Sequence, residues 1–453
     1  MALQDTALFR EIRAIAASEA KPVFSRWECI IHAGGKDIIP LFILDLDIER
    51  NYIENYCDAL SIEVAVSHGS FNYDVVPNKS TLEVTLRRLA MSESQQPTLD
   101  SEYPAESYRY RATLYDNQSD LLASNSPIVQ DRQLADRGDF KNVKMQLLDP
   151  VIEKLRMQSV GGIFRKTTGV NLVRVLLGKY SKIAGAEAAT RIQGVTVADG
   201  WNTEIRDHIT VPHLTKLTAA PTLINTICGG LYAAGFGYYL QKQQWYLFAP
   251  YDVKGYAKSR RSLTILNVPA NRMAMPERSY RETPTQVFVA CTGEVKHQDV
   301  SEQDQLNRGN GVRFIDAKRI MEGFATVDGN KATVSRASNA TEIVGEKRDT
   351  GLNFAPESDK RITANPLTEL SKLALRSGSY IQLTWENGNP DILYPGMMVK
   401  FMYLQNNTPK ELFGVLIGVQ AHIAATNRSP TNRRFATNVA LTVFLERKLE
   451  IDE

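Results

Sequence analysis

The chain has 453 residues, 43% hydrophobic and 23% charged, which is the composition of a folded globular protein and excludes wholesale disorder. Its 53 Lys and Arg against 51 Asp and Glu leave +2, a balance that argues against gripping nucleic acid by net charge. It does not exclude a protein that DNA merely passes. At roughly 150 residues per domain the length accommodates about three domains.

Four cysteines, Cys29, Cys57, Cys228 and Cys291, lie far apart. Their spacing predicts reduced thiols, not a zinc site or a disulfide framework. The opening MALQDTALFREIRAIAASEA sets Asp5, Arg10, Glu11 and Arg13 among its apolar positions. It lacks the unbroken apolar centre of a signal peptide, so folding in a cytoplasm is expected.

In chain order, residues 3–17 carry Leu8, Ile12 and Ile15 at helical spacing, an amphipathic helix that needs a partner surface. The period then changes to two. Leu44, Leu46 and Ile48 alternate with Asp45, Asp47 and Glu49. Leu60, Ile62, Val64 and Val66 alternate with polar residues, as do Leu82, Val84 and Leu86. Each run predicts a strand with one face on a core and the other toward water or a partner. Pro77-Asn78-Lys79 supplies turn chemistry between runs, and residues 108–115 predict a further strand. Residues 21 to about 140 therefore form an antiparallel sheet or barrel.

The middle is mixed. Residues 168–183 place Val170, Val173, Leu176, Leu177 and Tyr180 on one helical face, with Thr167 or Thr168 as the cap. Residues 221–234 predict a second helix, and a hairpin follows through Tyr238-Tyr239-Leu240 and residues 245–248. Residues 217–241 carry no charge, yet they contain Pro221, Asn225, Thr226 and glycines 229, 230, 235 and 237. A buried helix followed by a strand accounts for this segment better than a membrane span.

Strands return at 262–268 and 285–290. Residues 296–364 are polar and weakly periodic; so long a structureless stretch is rare in a compact domain, so strands or partner contacts are expected there. A short helix is predicted at 366–376. Four strands end the chain, at 380–385, 397–404, 413–423 and 437–446. Two long hairpins, 60–88 and 412–447, share a polar, proline-bearing tip and a basic end (LEVTLRR, ALTVFLERK), a weak sign of duplication.

No GxxxxGK[ST], HExxH, GxSxG or EF-hand pattern occurs. Gly229-Gly230 and Gly235 do not make a dinucleotide fingerprint, because they sit in and after a helix. His208 and His213, five apart, face neither one helix side nor one strand side, which speaks against a metal pair. Asp45, Asp47 and Glu49 have the spacing of one strand face. A solvated face is the plain reading, and a channel-lining face is the sharper one. The basic clusters Lys258-Ser259-Arg260-Arg261 and Arg428, Arg433 and Arg434 lack interleaved aromatics, so base stacking is not indicated. Solvated loops or contact with an acidic protein partner are expected there.

Three segments together give the chain a familiar order: PLFILDLDIERNYIENYCDALSIEVAV, LINTICGGLYAAGFGYYLQKQQWYLFAPYD, and YPGMMVKFMYL with FGVLIGVQAHI and NVALTVFLERK. In this it resembles the baseplate hub proteins of contractile-tailed bacteriophages, the trimeric adaptors between tail tube and central spike. The resemblance covers most of the chain in pattern; residues 296–364 match nothing in it. It implies an α+β, predominantly antiparallel β fold with two tube-like β-barrel domains and a mixed α/β middle region. The expected division is an N-terminal helix at 1–20, a first tube-like domain at 21–150, a mixed domain at 151–250 and a second tube-like domain at 251–453 with the polar insertion at about 296–364.

It further implies a structural virion protein of the tail baseplate, assembled in the host cytoplasm. This would be a homotrimer that meets the tail tube protein, the central spike protein and other baseplate proteins. DNA would pass through its channel without specific binding. No cofactor, metal or catalytic residue and no stable membrane insertion is implied, so an enzyme is not expected. Alternatives are a hub or spike component of a phage-derived contractile injection system, a tail-tip cell-wall hydrolase, and a glycan-binding fibre. The last would show repeats or stalks, which are not evident.

Overall fold

A computed structural model describes residues 7–17, 24–91, 106–115, 140–185, 192–232, 235–253, 255–268, 279–291, 296–299, 325–328, 331–336, 341–346, 378–405, 408–425 and 435–446. The first helix, α1 (Ala7–Ala17), buries Leu8, Phe9, Ile12 and Ile15 against Leu266, Val268 and Ala290, as its apolar spacing predicts. A first group of strands follows: β1 (Phe24–Ala33), β2 (Lys36–Ile38), β3 (Phe42–Asn51), β4 (Ala59–Ser67), β5 (Glu83–Met91), β6 (Glu106–Leu114) and β7 (Phe140–Leu148). The middle holds α2 (Pro150–Arg156), β8 (Ser159–Thr167), α3 (Gly169–Ala184), β9 (Gly194–Val197), β10 (Arg206–Lys216), α4 (Ala220–Ile227), β11 (Gly237–Gln241) and β12 (Gln244–Phe248). Then come β13 (Ser262–Asn267), β14 (Tyr280–Glu282), β15 (Gln286–Cys291) and β16 (Lys296–Asp299). A small antiparallel meander, β17 (Ala325–Asp328), β18 (Lys331–Arg336) and β19 (Thr341–Glu346), lies within the polar stretch 296–364. Last are β20 (Gly378–Glu386), β21 (Met398–Gln405), β22 (Thr408–Ala425) and β23 (Phe435–Glu446).

The protein is mostly β, with a few helices. The strand groups on either side of the middle do not stay apart. They join one large sheet in the order β14-β15-β13-β21-β22-β3-β4-β7-β6-β5-β1-β23-β20-β16, with β2 beside β1. The join is made by β22, an 18-residue strand. Its first half pairs with β21 and its second half, from Gly418 to Ala424, pairs with β3. Along its other edge it pairs with β23, with a register shift between Leu416 and Gly418. The shift turns the strand so that its halves serve different neighbours. At the far side β1 returns to β23 through one residue pair, Ser25↔Phe435. That single pair is all that links β1 to β23 among the described residues, so the strands running from β22 round to β23 are not closed into a full barrel. The expectation of two separate barrels becomes, in this structure, one continuous sheet with a shared pair of strands.

Three further expectations change. The likeness between the two long hairpins does not carry into structure. β22 and β23 pair directly, but β4 pairs with β3 and β7 while β5 pairs with β1 and β6. Helical turns over residues 68–78 carry the chain away from β4, and Pro77-Asn78 closes them instead of turning a hairpin. The helix expected over 221–234 stops at Ile227, because Gly229 and Gly230 take φ of 67° and 108°. The Asn225 side chain accepts the Leu231 N–H there, which stabilises the turn. Finally, β13 pairs in parallel with both β15 and β21, and β12 pairs in parallel with β9, so the sheets are mixed.

The middle unit has its own core, in which α3 lays Val170, Val173, Leu176 and Leu177 against Ile224, Leu231, Trp245 and Leu247. Thr168 caps α3 by accepting the Asn171 N–H at 3.2 Å. Gly169 admits the approach of the chain after α4; a Cβ there would clash with Leu231 Cδ2. Two fully buried tryptophans each find a hydroxyl at 2.8 Å, Trp245 on Ser181 and Trp385 on Ser279. Among the described residues no helix is long and apolar enough to cross a membrane.

Candidate functional site

The strand registers build one broad face from β7, β4, β3, β22, β23 and β20. Alternation sends Ile48, Leu60, Ala421, Val439 and Trp385 into the core, so their sequence neighbours must point the other way. One row across the face reads Gln146, Ser61, Asp47, His422, Asn438, Glu386. Beside it runs Lys144, Glu63, Asp45, Ala424, and on its other side Ala59, Glu49, Gln420, Ala440, Thr384. In these rows the largest apolar side chain is alanine. Six strands at about 4.8 Å spacing make the face about 24 Å wide. Asp45, Asp47, Glu49, Glu63 and Glu386 outnumber Lys144 and His422, so its charge is negative.

All three carboxylates singled out from the sequence lie on this face. Asp47 pairs with His422 Nδ1 at 2.6 Å and accepts a hydrogen bond from Ser61 Oγ at 3.3 Å. Asp45 sits at a bulge between Ile43 and Asp45, which breaks the simple alternation and leaves Leu44 only half-buried. Burial there, and then the negative charge of Asp47, raise the Asp45 carboxyl above its ordinary value. Glu49 is exposed. Arg428, Arg433 and Arg434, the expected partner-contact residues, lie outside the described residues. Among the described residues no group of three or more His, Cys, Asp or Glu is placed to hold a metal.

Behind this face lies an ionic junction. Arg50, 4% exposed, donates from Nε to Asp58 at 3.0 Å, from Nη1 to the Pro390 carbonyl at 2.8 Å and from Nη2 to Asp391 at 3.1 Å. Arg88 donates to the other Asp391 oxygen at 2.8 Å, and the Tyr239 hydroxyl donates to Asp58 at 3.0 Å. Gln241 accepts from the Tyr52 hydroxyl and donates to the Leu393 carbonyl at 2.8 Å. One guanidinium thus ties together β3, the approach to β4 and the 390–393 turn, while Tyr239 and Gln241 bring in the middle unit. Burial opposes the charge on Arg50, but Asp58 and Asp391 more than offset it and keep the group protonated. Burial likewise pushes Asp391 upward, yet Lys242, Arg88 and Arg50 hold it well below the usual carboxylate range. The sequence carried a signal for this junction. In the inward phase Leu46, Ile48, Arg50, the third position is a cation, and a buried cation requires anionic partners.

No family model matches the chain, and no curated protein matches it. Among solved structures, a tail protein from Neisseria meningitidis MC58 aligns over 92% of this chain and 96% of its own, at 10% identity and a TM-score of 0.44. The 43 kDa tail protein of prophage MuSo2 from Shewanella oneidensis aligns over 92% and 98%, at 11% identity and 0.44. An E. coli component of the type VI secretion system, described as structurally similar to the T4 bacteriophage tail proteins gp27 and gp5, aligns over 92% and 77%, at 10% identity and 0.41.

Proposed function

We propose that this chain is a structural subunit of a phage tail baseplate hub, a homotrimer that joins the tail tube to the central spike and surrounds a channel for DNA. The observation that carries the reading is the wide, negatively charged face on β7-β4-β3-β22-β23-β20. Its three rows offer a passing polyanion no aliphatic foothold and no basic patch, with the half-exposed Tyr115 at their β7 border. Asp45, Asp47 and Glu49 are the lumen-facing residues in this reading. Three chains, each supplying two tube-like β lobes around the shared β22–β23 pair, would present six lobes to a sixfold tube and keep threefold symmetry toward the spike. Such a ring uses heterologous interfaces that close on themselves. In this reading Arg428, Arg433 and Arg434 meet an acidic neighbour in the baseplate. The role is structural, without catalysis or cofactor, and the location is the virion tail.

Electron microscopy of the purified chain, alone and with its tube and spike partners, tests this. A threefold ring with Asp47 and Glu49 on the channel wall is expected. A peripheral position with no ring around an axial channel rejects it. Incubation with peptidoglycan is the complementary test, since release of fragments would replace the structural role with a hydrolytic one.

A further inference from the structure

The outward face of β1, β2 and β5 brings together three side chains that the acidic face does not use. β1 turns into β2 through Gly34-Gly35, both at positive φ (57° and 84°), as a two-residue hairpin turn demands. That turn fixes the register and sets His32 opposite Asp37. On its other edge β1 pairs with β5, with Ile30 opposite Thr85 and His32 opposite Glu83. Ile31, Ile38, Val84 and Leu86 fill the core, so alternation turns His32, Asp37 and Thr85 outward. There His32 Nδ1 lies 2.6 Å from an Asp37 carboxylate oxygen, and His32 Nε2 lies 2.8 Å from the Thr85 hydroxyl.

The order of these contacts decides what they can do. A carboxylate only accepts, so Nδ1 carries the hydrogen. In the neutral ring Nε2 is then the acceptor, and the Thr85 hydroxyl donates to it. Hydroxyl, imidazole and carboxylate thus stand in the order that activates an oxygen nucleophile, a base within reach of the hydroxyl and a third group that orients the base. On the acidic face Asp47 stands between Ser61 and His422, an order that cannot activate the serine. Arg109 stands directly across from Thr85 on β6, its side chain held by Glu83, and supplies positive charge beside the hydroxyl. The His32 side chain is 25% exposed, so the pair is open to a small reagent. We propose that Thr85 is an acylation site that takes activated esters. The Thr85 oxygen bonds to the acyl carbon, and the bond from that carbon to the ester's leaving oxygen breaks. The hydroxyl proton passes to His32 Nε2 and on to the leaving group. The product is a threonine ester, a modification of the chain that lies outside the hub reading.

The test is brief exposure of the full chain to p-nitrophenyl acetate at neutral pH, then an acid quench and peptide mass mapping. An acetyl group on Thr85 is expected. A positioned general base is worth about a hundredfold or more, so His32→Gln should slow Thr85 acetylation by at least that factor. Asp37 is a positioning residue: Asp37→Asn should slow the reaction, and Asp37→Glu, which still accepts from Nδ1, should restore part of it. Thr85→Ala should remove the matching release of p-nitrophenol, while Thr85→Ser, which keeps the hydroxyl, should retain it. Thermal unfolding of each variant separates lost reactivity from lost fold. Acetyl groups confined to lysines, or a rate at Thr85 unchanged by His32→Gln, overturn the proposal. Neither readout depends on ring formation, so the acylation site and the hub reading stand or fall separately.

Discussion

Replacing Arg50 by alanine removes three hydrogen bonds from a side chain that is 4% exposed and strands two carboxylates that are themselves largely buried. Breaking a buried pair in this way costs about 3–5 kcal/mol, most of it from the charge left behind. Here both carboxylates keep one partner. Asp391 retains Arg88 at 2.8 Å and Asp58 retains the Tyr239 hydroxyl at 3.0 Å, so the lower end, about 3 kcal/mol, applies. Unfolding in urea, followed through the fluorescence of fully buried Trp245 and Trp385, measures the loss. Arg50→Lys should lie between the natural protein and Arg50→Ala, because it keeps the charge and loses the planar fork. The pH dependence carries a second signature. Asp391 is held below its unfolded value, so its stabilisation is present above about pH 4 and is lost as pH falls through the folded value. Arg50→Ala should flatten that acid limb. An unfolding midpoint unchanged by Arg50→Ala, with the acid limb intact, would show that the junction is not a stabilising element.

Other substitutions probe the strand registers and the face. Val64→Asp and Leu441→Asp place a charge at fully buried positions and should each cost more than about 4 kcal/mol, seen as loss of soluble, folded chain. Normal folding of either would mean the registers are wrong. Gly396→Ala adds a methyl group at φ 71°, where its Cβ would lie 2.5 Å from the Phe248 ring, and should cost about 1–3 kcal/mol by thermal denaturation. Reversing Asp47 and Glu49 to lysine should leave the monomer's stability within about 1 kcal/mol, because both are surface positions on the strand. In an assembled tail the same reversal should slow DNA passage, read as delayed ejection; unchanged ejection would remove these residues from the channel wall.

The elements legible in the sequence were those with strong local period. α1, α3 and β4 follow directly from apolar spacing, since one face of each is buried, and the four C-terminal strands from their apolar, β-branched runs, although β22 is buried on both faces from Gly414 to Val419. What stayed hidden was pairing. Nothing in the residues of β4 and β5 distinguishes a hairpin from two strands parted by helical turns, because both satisfy the same alternation. β8 and β10 were missed because both are largely exposed and carry little apolar signal. The acidic stripe on β3 was readable from its spacing, but His422, its partner from a strand far along the chain, required the fold. Arg50 was readable in phase, and its partners Asp58 and Asp391 were not, because the second comes from a turn that only the folded sheet brings near.

The position of β22 and β23 in the chain also sets an order of construction. The open edge of β3 is covered by Gly418–Ala424, and β23 joins the other flank of the same group. During synthesis at about 5–20 residues per second, β3 emerges and then waits on the order of tens of seconds for its neighbour. Throughout that interval its free N–H and C=O groups offer a template for any extended segment. The outward Asp45, Asp47 and Glu49 place like charges along that waiting edge, and two nascent copies that tried to pair through it would set carboxylate against carboxylate. The same residues that shape the finished surface therefore guard the unfinished one.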